Sequence, residues 1–374
     1  MQCGVPKDLG VVKVRKWKTL CLVLVLALGL VLAGCAEKQT PPAETPKPTE
    51  TPKETATPKE ETKGVTIPRN EEGKYVITIY TGSGPGSVYF AIGSMFAKVL
   101  NKKSDLIEAK GVTSGASVAN AKAIGKGEAL AAIIQNDVTY YAWNGKFQFE
   151  GKPIKELRGI GTLYPEPVQI VVRADSDIKT LEDLKGKKVV VGAAGSGCAA
   201  TAERILKAAG VWDDIEPVYQ TFSEAAQSLV LGQVDAEFTV IAYPAPAIEQ
   251  IAVKTPVRLI PIPDEVIQKL HEEGYPFYVK VTIPKGTYNG MDEDVQTVAV
   301  KSTLVVHKDV PEEVVYEMTK ILYENIDELA KAHQVAKQID MHKAFEGLMI
   351  PLHPGAIKYY EEHGISVPDE LKPS

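Results

Sequence analysis

The alternation of hydrophobic and polar positions changes period once between Tyr75 and Leu100, and the rest of the chain is organised around that change. Tyr75-Val76-Ile77-Thr78-Ile79-Tyr80 is a β-branched and aromatic run that predicts a short buried strand. Beyond Ser87 the apolar residues Tyr89, Ile92, Met95, Phe96, Val99 and Leu100 recur at helical spacing. Between strand and helix lies Thr81-Gly82-Ser83-Gly84-Pro85-Gly86-Ser87, whose glycines reach backbone conformations closed to other residues. A strand, a glycine loop and a helix start together suit an anion. The first N–H groups of the helix have no partners inside it, and the macrodipole adds partial positive charge there. Such a loop also serves as a plain turn. The unit recurs, however, as the strand Lys188–Gly192, the small-residue loop Ala193-Ala194-Gly195-Ser196-Gly197, and a helix to Ala209. Two such units predict two α/β lobes that aim helix N-termini into a shared cleft.

The remaining pattern fills in those lobes. Leu106–Ala109 predicts a second strand, followed by Gly111–Asn120, where Ser114, Ser117 and Asn120 are three residues apart. Ala129–Ile134 predicts a strand that meets Gln135-Asn136-Asp137, and α/β sheets place ligands at the carboxyl ends of their strands. Tyr164-Pro165-Glu166-Pro167 leads into Val168–Val172, a strand expected to cross between lobes. Asp177–Gly186 predicts a short helix. Glu216–Tyr219 and Val234–Ile241 predict strands, with a helix over Phe222–Leu231 between them. Val257–Ile262 is expected to return the chain to the first lobe. A strand at Thr297–Val306 and helices at Glu312–Leu329 and around Tyr359–His363 close the body. The expected organisation is a first lobe from 65–170 and 257–374, with a second lobe from 171–256 between its two parts.

The N-terminus reads differently. A basic cluster at 13–18 precedes the apolar run Thr19–Ala33, which is short for a spanning helix and typical of a signal peptide. It ends in Leu32-Ala33-Gly34-Cys35, which resembles a lipobox. Residues 1–34 are therefore expected to be a signal peptide, with Cys35 the lipidated N-terminus. An uncleaved anchor is the alternative. Residues 36–64 contain only Thr, Pro, Glu, Lys, Ala, Gln and Gly, so they cannot bury a core and read as a disordered tether. In a polyproline II conformation such a tether reaches about 90 Å.

Charge and cysteine content narrow the function. The net charge is −6, and because the first 34 residues are basic, the remainder carries about ten excess negative charges. An acidic body without a basic stripe argues against nucleic acid. Cys3, Cys21 and Cys35 lie in or beside the N-terminal segment, which leaves Cys198 alone in the body. No CxxC pair or Cys/His cluster points to zinc, and no cofactor is expected.

The loop at Gly82 is not a dinucleotide fingerprint, because Ser87 stands where the third glycine belongs. It lacks the Lys-Ser/Thr of a P-loop, and no G-x-S-x-G elbow occurs. Cys198 is expected to be structural or to meet a ligand from a helix N-terminus, not to act as a nucleophile. Glu166 has no evident second carboxylate to pair with as a catalytic acid. The chain therefore reads as a binder and not as an enzyme. Neutral donors at Gly82, Ser83, Gly84, Ser114, Ser117, Asn120, Gln135, Ser196 and Gly197 predict a carboxylate ligand. Asp137 and Glu166 add acceptors that suit an ammonium group, and Tyr89 and Tyr164 would wall the aliphatic part.

With those segments assembled, the body resembles the TAXI family, the extracytoplasmic solute receptors of TRAP transporters. The resemblance rests on Thr81-Gly82-Ser83-Gly84 with Tyr89, Thr113–Asn120, Gln135-Asn136-Asp137 and Tyr164-Pro165-Glu166-Pro167. To these add Gly192–Gly197, Gly232–Ala236 and Tyr243-Pro244-Ala245-Pro246. The chain departs from the family's usual residues at Ser83 and Cys198. The resemblance implies an α/β, two-lobed periplasmic-binding-protein fold of the second type that closes on an acidic amino acid such as glutamate or a related carboxylate. It further implies delivery to TRAP membrane subunits from a lipid-anchored position outside the cytoplasmic membrane. A receptor for an ABC transporter, a sensor domain and an enzyme of similar fold are the alternatives.

Overall fold

The computed structural model describes residues 64–373. The signal peptide, Cys35 and nearly all of the tether lie outside the described residues. Among the described residues no helix is long and apolar enough to cross a membrane.

The first lobe opens with β1 (Tyr75–Tyr80), whose alternate residues Tyr75, Ile77 and Ile79 are buried. Then come α1 (Val88–Lys103), β2 (Ile107–Val112), α2 (Ser117–Gly125), β3 (Ala131–Gln135) and α3 (Asn136–Asn144). α1 buries Val88, Tyr89, Ile92, Phe96, Val99 and Leu100, the stripe that its spacing predicts. A 17-residue strand, β4 (Leu157–Arg173), carries the chain into the second lobe. There follow β5 (Lys188–Val190), α4 (Gly197–Ala209), β6 (Glu216–Val218), α5 (Phe222–Val230), β7 (Ala236–Val240), α6 (Pro246–Ala252) and β8 (Val257–Ile260). The return runs through α7 (Asp264–Glu272), β9 (Val279–Ile283) and β10 (Val295–His307) to α8 (Glu312–Glu324), α9 (Ile326–Ala330) and α10 (Pro354–Glu362).

One strand order is used twice. In the first lobe it is β2-β1-β3, parallel, then β10 antiparallel, then β4. In the second it is β6-β5-β7, parallel, then β4 antiparallel, then β8. β4 pairs with β10 as far as Pro167 and with β7 from Val168 onward, so it serves both sheets and crosses between those two residues. Thr297 Oγ1 donates to Val168 O at 2.7 Å and ties β10 to β4 at the crossing. This is the two-lobed α/β arrangement of a type II periplasmic-binding protein.

Two local expectations change. Val257–Ile260 does not return to the first lobe but pairs with Ile170–Arg173 at the far side of the second sheet. The segment 177–186 forms only a single tight turn at Glu182–Leu184. Asp183 Oδ2 accepts from the backbone N–H groups of Lys179 and Thr180 at 2.9 Å each, and this local bonding competes with a helix. α6, α7 and β9 were not anticipated from the sequence pattern.

Candidate functional site

Four helices start at the interface between the lobes, α1 and α2 from the first and α4 and α5 from the second. At α1 the loop depends on glycine. Gly84 has φ +124°, and a Cβ on Gly82 would fall on the Ser87 side chain. At α2, Ser114 Oγ donates to Thr81 O at 2.9 Å and accepts from Ala116 N at 3.1 Å. Ala116 itself sits at φ 63°, ψ −153°, a region that other residues leave to glycine. α4 is capped by Ser196, whose side chain accepts from Ala199 N. α5 is capped by a reciprocal Thr221–Glu224 box.

These helix starts enclose a cavity of about 30 Å³. The first lobe contributes Ser83, Ser87, Val88, Tyr89, Ala116, Ser117, Gln135 and Glu166 to its walls. The second contributes Ala193, Ser196, Gly197 and Cys198, then Thr221 and Phe222, and finally Val240 and Ile241 from the end of β7. The lobes touch around it. Ala119 N donates to Gly195 O at 3.1 Å, and a Cβ on Gly197 would land on Gln135 Oε1.

Among the described residues lining the cavity there is no lysine, arginine or histidine. Glu166 is 2% exposed, and its Oε2 accepts from Tyr89 Oη at 2.6 Å. Burial holds its carboxyl well above the usual carboxylate range. The Tyr89 hydrogen bond opposes that shift and the charge of Asp137 adds to it. Asp137 is thus the neighbouring carboxylate that the sequence did not reveal. Gln135 Oε1 and Tyr164 Oη are buried without a partner. Burial also pushes the Cys198 thiol up, and its Sγ donates to Phe238 O at 3.2 Å. A helix N-terminus would lower a thiol pKa, but burial outweighs it here and favours the neutral thiol.

Of the residues expected from sequence to meet a ligand, the structure brings Ser83, Tyr89, Ser117, Gln135, Glu166, Ser196 and Gly197 to the cavity wall. The others serve different ends. Gly82 and Gly84 shape the first loop, and Ser114 ties that loop to the one before α2 through Thr81 O and Gly82 O. Asn120 Nδ2 donates to Thr81 O and Ile133 O, both at 2.9 Å, and so joins the ends of β1 and β3. Tyr164 is buried beside Glu166, outside the lining. Asp137 lies at the start of α3, also outside it, and bonds across the lobes. Ser87, Val88, Ala116, Ala193, Thr221, Phe222, Val240 and Ile241 are lining residues that the sequence did not point to. Thr221 had a readable signal, because Thr-x-x-Glu ahead of an apolar run marks a helix start.

Residues 79–364 match the NMT1-like family. The chain belongs to that family. Among solved structures, this member is similar to the periplasmic aliphatic sulphonate binding protein SsuA from Escherichia coli, at 20% identity and TM-score 0.44 over 77% of this chain and 83% of that one. It is also similar to MatC from Rhodopseudomonas palustris with bound malate, at 17% identity and TM-score 0.45 over 70% and 88% of the two chains. A third similar structure is a TctC solute binding protein from Polaromonas, at 18% identity and TM-score 0.41 over 69% and 87%.

Proposed function

We propose that this chain is an extracytoplasmic solute receptor whose lobes close on a small zwitterion, an acidic amino acid such as glutamate. One observation carries the reading. The interlobe cavity is met by four helix N-termini and one buried carboxylate, with no cation among its walls. Backbone N–H groups and the hydroxyls of Ser83, Ser87, Ser117 and Ser196 suit the ligand's carboxylates, each such charge-assisted bond contributing about 1.5–3 kcal/mol. Glu166 and the free Gln135 Oε1 suit its ammonium group. A simple dicarboxylate has no ammonium group for Glu166 and Gln135 Oε1, so it should bind less well than an amino acid. A cavity of about 30 Å³ has room for about two waters. An amino acid is therefore admitted by rotation of the side chains that line the cavity, with the lobes remaining in contact.

The finer reading is that of a TAXI-type receptor anchored by lipid on Cys35 and delivering to TRAP membrane subunits. The motif resemblance and the lipobox support it. No chemistry is assigned to the site. The buried, neutral Cys198 fits a receptor better than a thiol enzyme.

Calorimetry tests the ligand reading with L-glutamate, L-glutamine, 2-oxoglutarate and a neutral sugar on the wild type, Glu166→Gln and Ser196→Ala. Glutamate should bind the wild type more tightly than 2-oxoglutarate, and Glu166→Gln should erase or reverse that preference. Ser196→Ala should weaken both acids. Binding of the sugar with no response to any acid would sink the reading.

A further inference from the structure

Asp137 has a place in this molecule that ligand contact does not explain. Its Oδ2 accepts from Thr201 Oγ1 at 3.1 Å and from Tyr278 Oη at 3.2 Å, while Oδ1 accepts from Val138 N at 2.8 Å. Asp137 belongs to the first lobe and Thr201 to α4 of the second, so the first of these bonds exists only while the lobes are together. On α4, Gly197, Thr201 and Arg204 fall on one face at i, i+4 and i+7. That face meets the first lobe along its length. Gly197 abuts Gln135, Thr201 bonds Asp137, and the Arg204 guanidinium lies 4.1 Å from the centre of the Phe147 ring. The helix that begins at the ligand cavity therefore also seals the Asp137 carboxyl.

We propose that Asp137 is the latch of lobe closure and that closure takes up a proton there, so that the protein holds its ligand more tightly as its surroundings acidify. The inference rests on the receptor reading above. Asp137, Thr201, Tyr141 and Tyr278 are all fully buried. Tyr278, ahead of β9, bonds Asp137, and the charge of Asp137 is felt by Tyr278, by Tyr141 on its own helix and by Glu166 on β4, while Tyr275 and Arg204 of α4 lie beside Tyr141. None supplies a compensating bond from a cation, because Arg204 pairs with Glu203 at 2.7 Å and stacks on Phe147. Glu166 supplies no positive charge either. Closure thus exchanges water around a carboxylate for neutral hydroxyls and a neighbouring acid, which favours the protonated form. Burial accordingly moves Asp137 up to about 6, with the bonds from Val138, Thr201 and Tyr278 opposing it. In the parted lobes water reaches the group and its ordinary acidity returns. The sign follows. The closed form binds the proton more strongly, so closure is favoured as pH falls through about 6 and loses that advantage above it.

The test is calorimetry of the full-length protein with L-glutamate from pH 8 to pH 5, comparing wild type with Asp137→Asn. The ligand titrates equally in both, so the ratio of the two Kd values reports Asp137 together with the change its loss makes at Glu166. That ratio should change about tenfold between pH 7 and pH 5, with the wild type gaining affinity. At pH 6 the wild type should take up about half a proton more per ligand, read from buffers of different ionisation enthalpy. A constant ratio with equal proton uptake would overturn the proposal. Thr201→Val supplies an independent arm, since it removes a donor that favours the charged form. It should bind more weakly than wild type at pH 7 and nearly equally at pH 5, and pH-independent equality would count against the latch. If L-glutamate gives no heat, the ligand reading fails and closure is read without ligand. Small-angle scattering should then show the wild type, but not Asp137→Asn, becoming more compact as pH drops from 8 to 5. Identical behaviour of the two would overturn the proposal.

Discussion

Replacing Glu237 by glutamine should stabilise this protein, and by an amount that grows with pH. Glu237 lies on β7, the strand between β4 and β5, where it is fully buried and both carboxyl oxygens lack partners. Burial alone moves its carboxyl from an ordinary 4.5 up to about 8. The group is therefore protonated in the folded protein at neutral pH, whereas the unfolded chain ionises it above pH 4.5. A carboxyl raised on folding contributes fully below its unfolded value and loses that contribution as pH rises through the folded one. At 1.36 kcal/mol per tenfold change in acidity, the loss is about 3 kcal/mol at pH 7 and about 5 kcal/mol above pH 8. Glutamine keeps the shape and cannot ionise, so Glu237→Gln should match the wild type at pH 4.5 and exceed it by those amounts at higher pH. Urea unfolding at pH 4.5, 7 and 9 measures the difference directly, provided the slopes agree. Parallel stability profiles for the two proteins would refute the reasoning and mean that water or an unrecognised donor satisfies the carboxylate.

Two further substitutions probe the cleft. Gly197→Ala places a methyl group on Gln135 Oε1 and close to Ser117 Oγ, so the lobes cannot meet fully. Affinity for L-glutamate should fall at least tenfold, or about 1.4 kcal/mol, with little change in ligand-free thermal stability. An unchanged affinity in calorimetry would contradict the contact. Ala116→Gly relieves the backbone at φ 63°, ψ −153° and should raise urea stability by about 1 kcal/mol. A loss of stability there would mean that Ala116 carries no strain.

The parts of this structure legible in the sequence are those set by short-range pattern. The strand–loop–helix at 75–100 shows itself because a β-branched run, glycines and a helical apolar stripe follow one another within thirty residues. The same reasoning recovers β5 and the loop before α4. Pairing partners were not legible. Val257–Ile260 carries the same apolar alternation whichever sheet receives it, and only register against Ile170–Arg173 assigns it to the second lobe. Site membership failed for the same reason. Asp137 follows the end of one predicted strand and Glu166 precedes the start of another, yet the start of α3 turns Asp137 toward α4 while β4 presents Glu166 to the cavity.

The three buried acids show how far that distinction reaches. In sequence, Asp137, Glu166 and Glu237 are three scattered carboxylates among 48 acidic residues. In the fold each is at most 2% exposed, and burial raises all three above the ordinary carboxylate range. Their consequences divide according to what can move. Asp137 bonds Thr201 of the opposite lobe and Glu166 lines the cavity between the lobes, so in the latch proposal parting the lobes lets water reach them without unfolding the protein. Their protonation is therefore coupled to closure and ligand. Glu237 is enclosed within the second lobe's own sheet, so only unfolding relieves it. The pH dependence of binding should accordingly follow the cleft pair and survive Glu237→Gln, while the pH dependence of urea stability should lose the Glu237 component in that variant. Two assays on one substitution thus separate a property of the cleft from a property of the core.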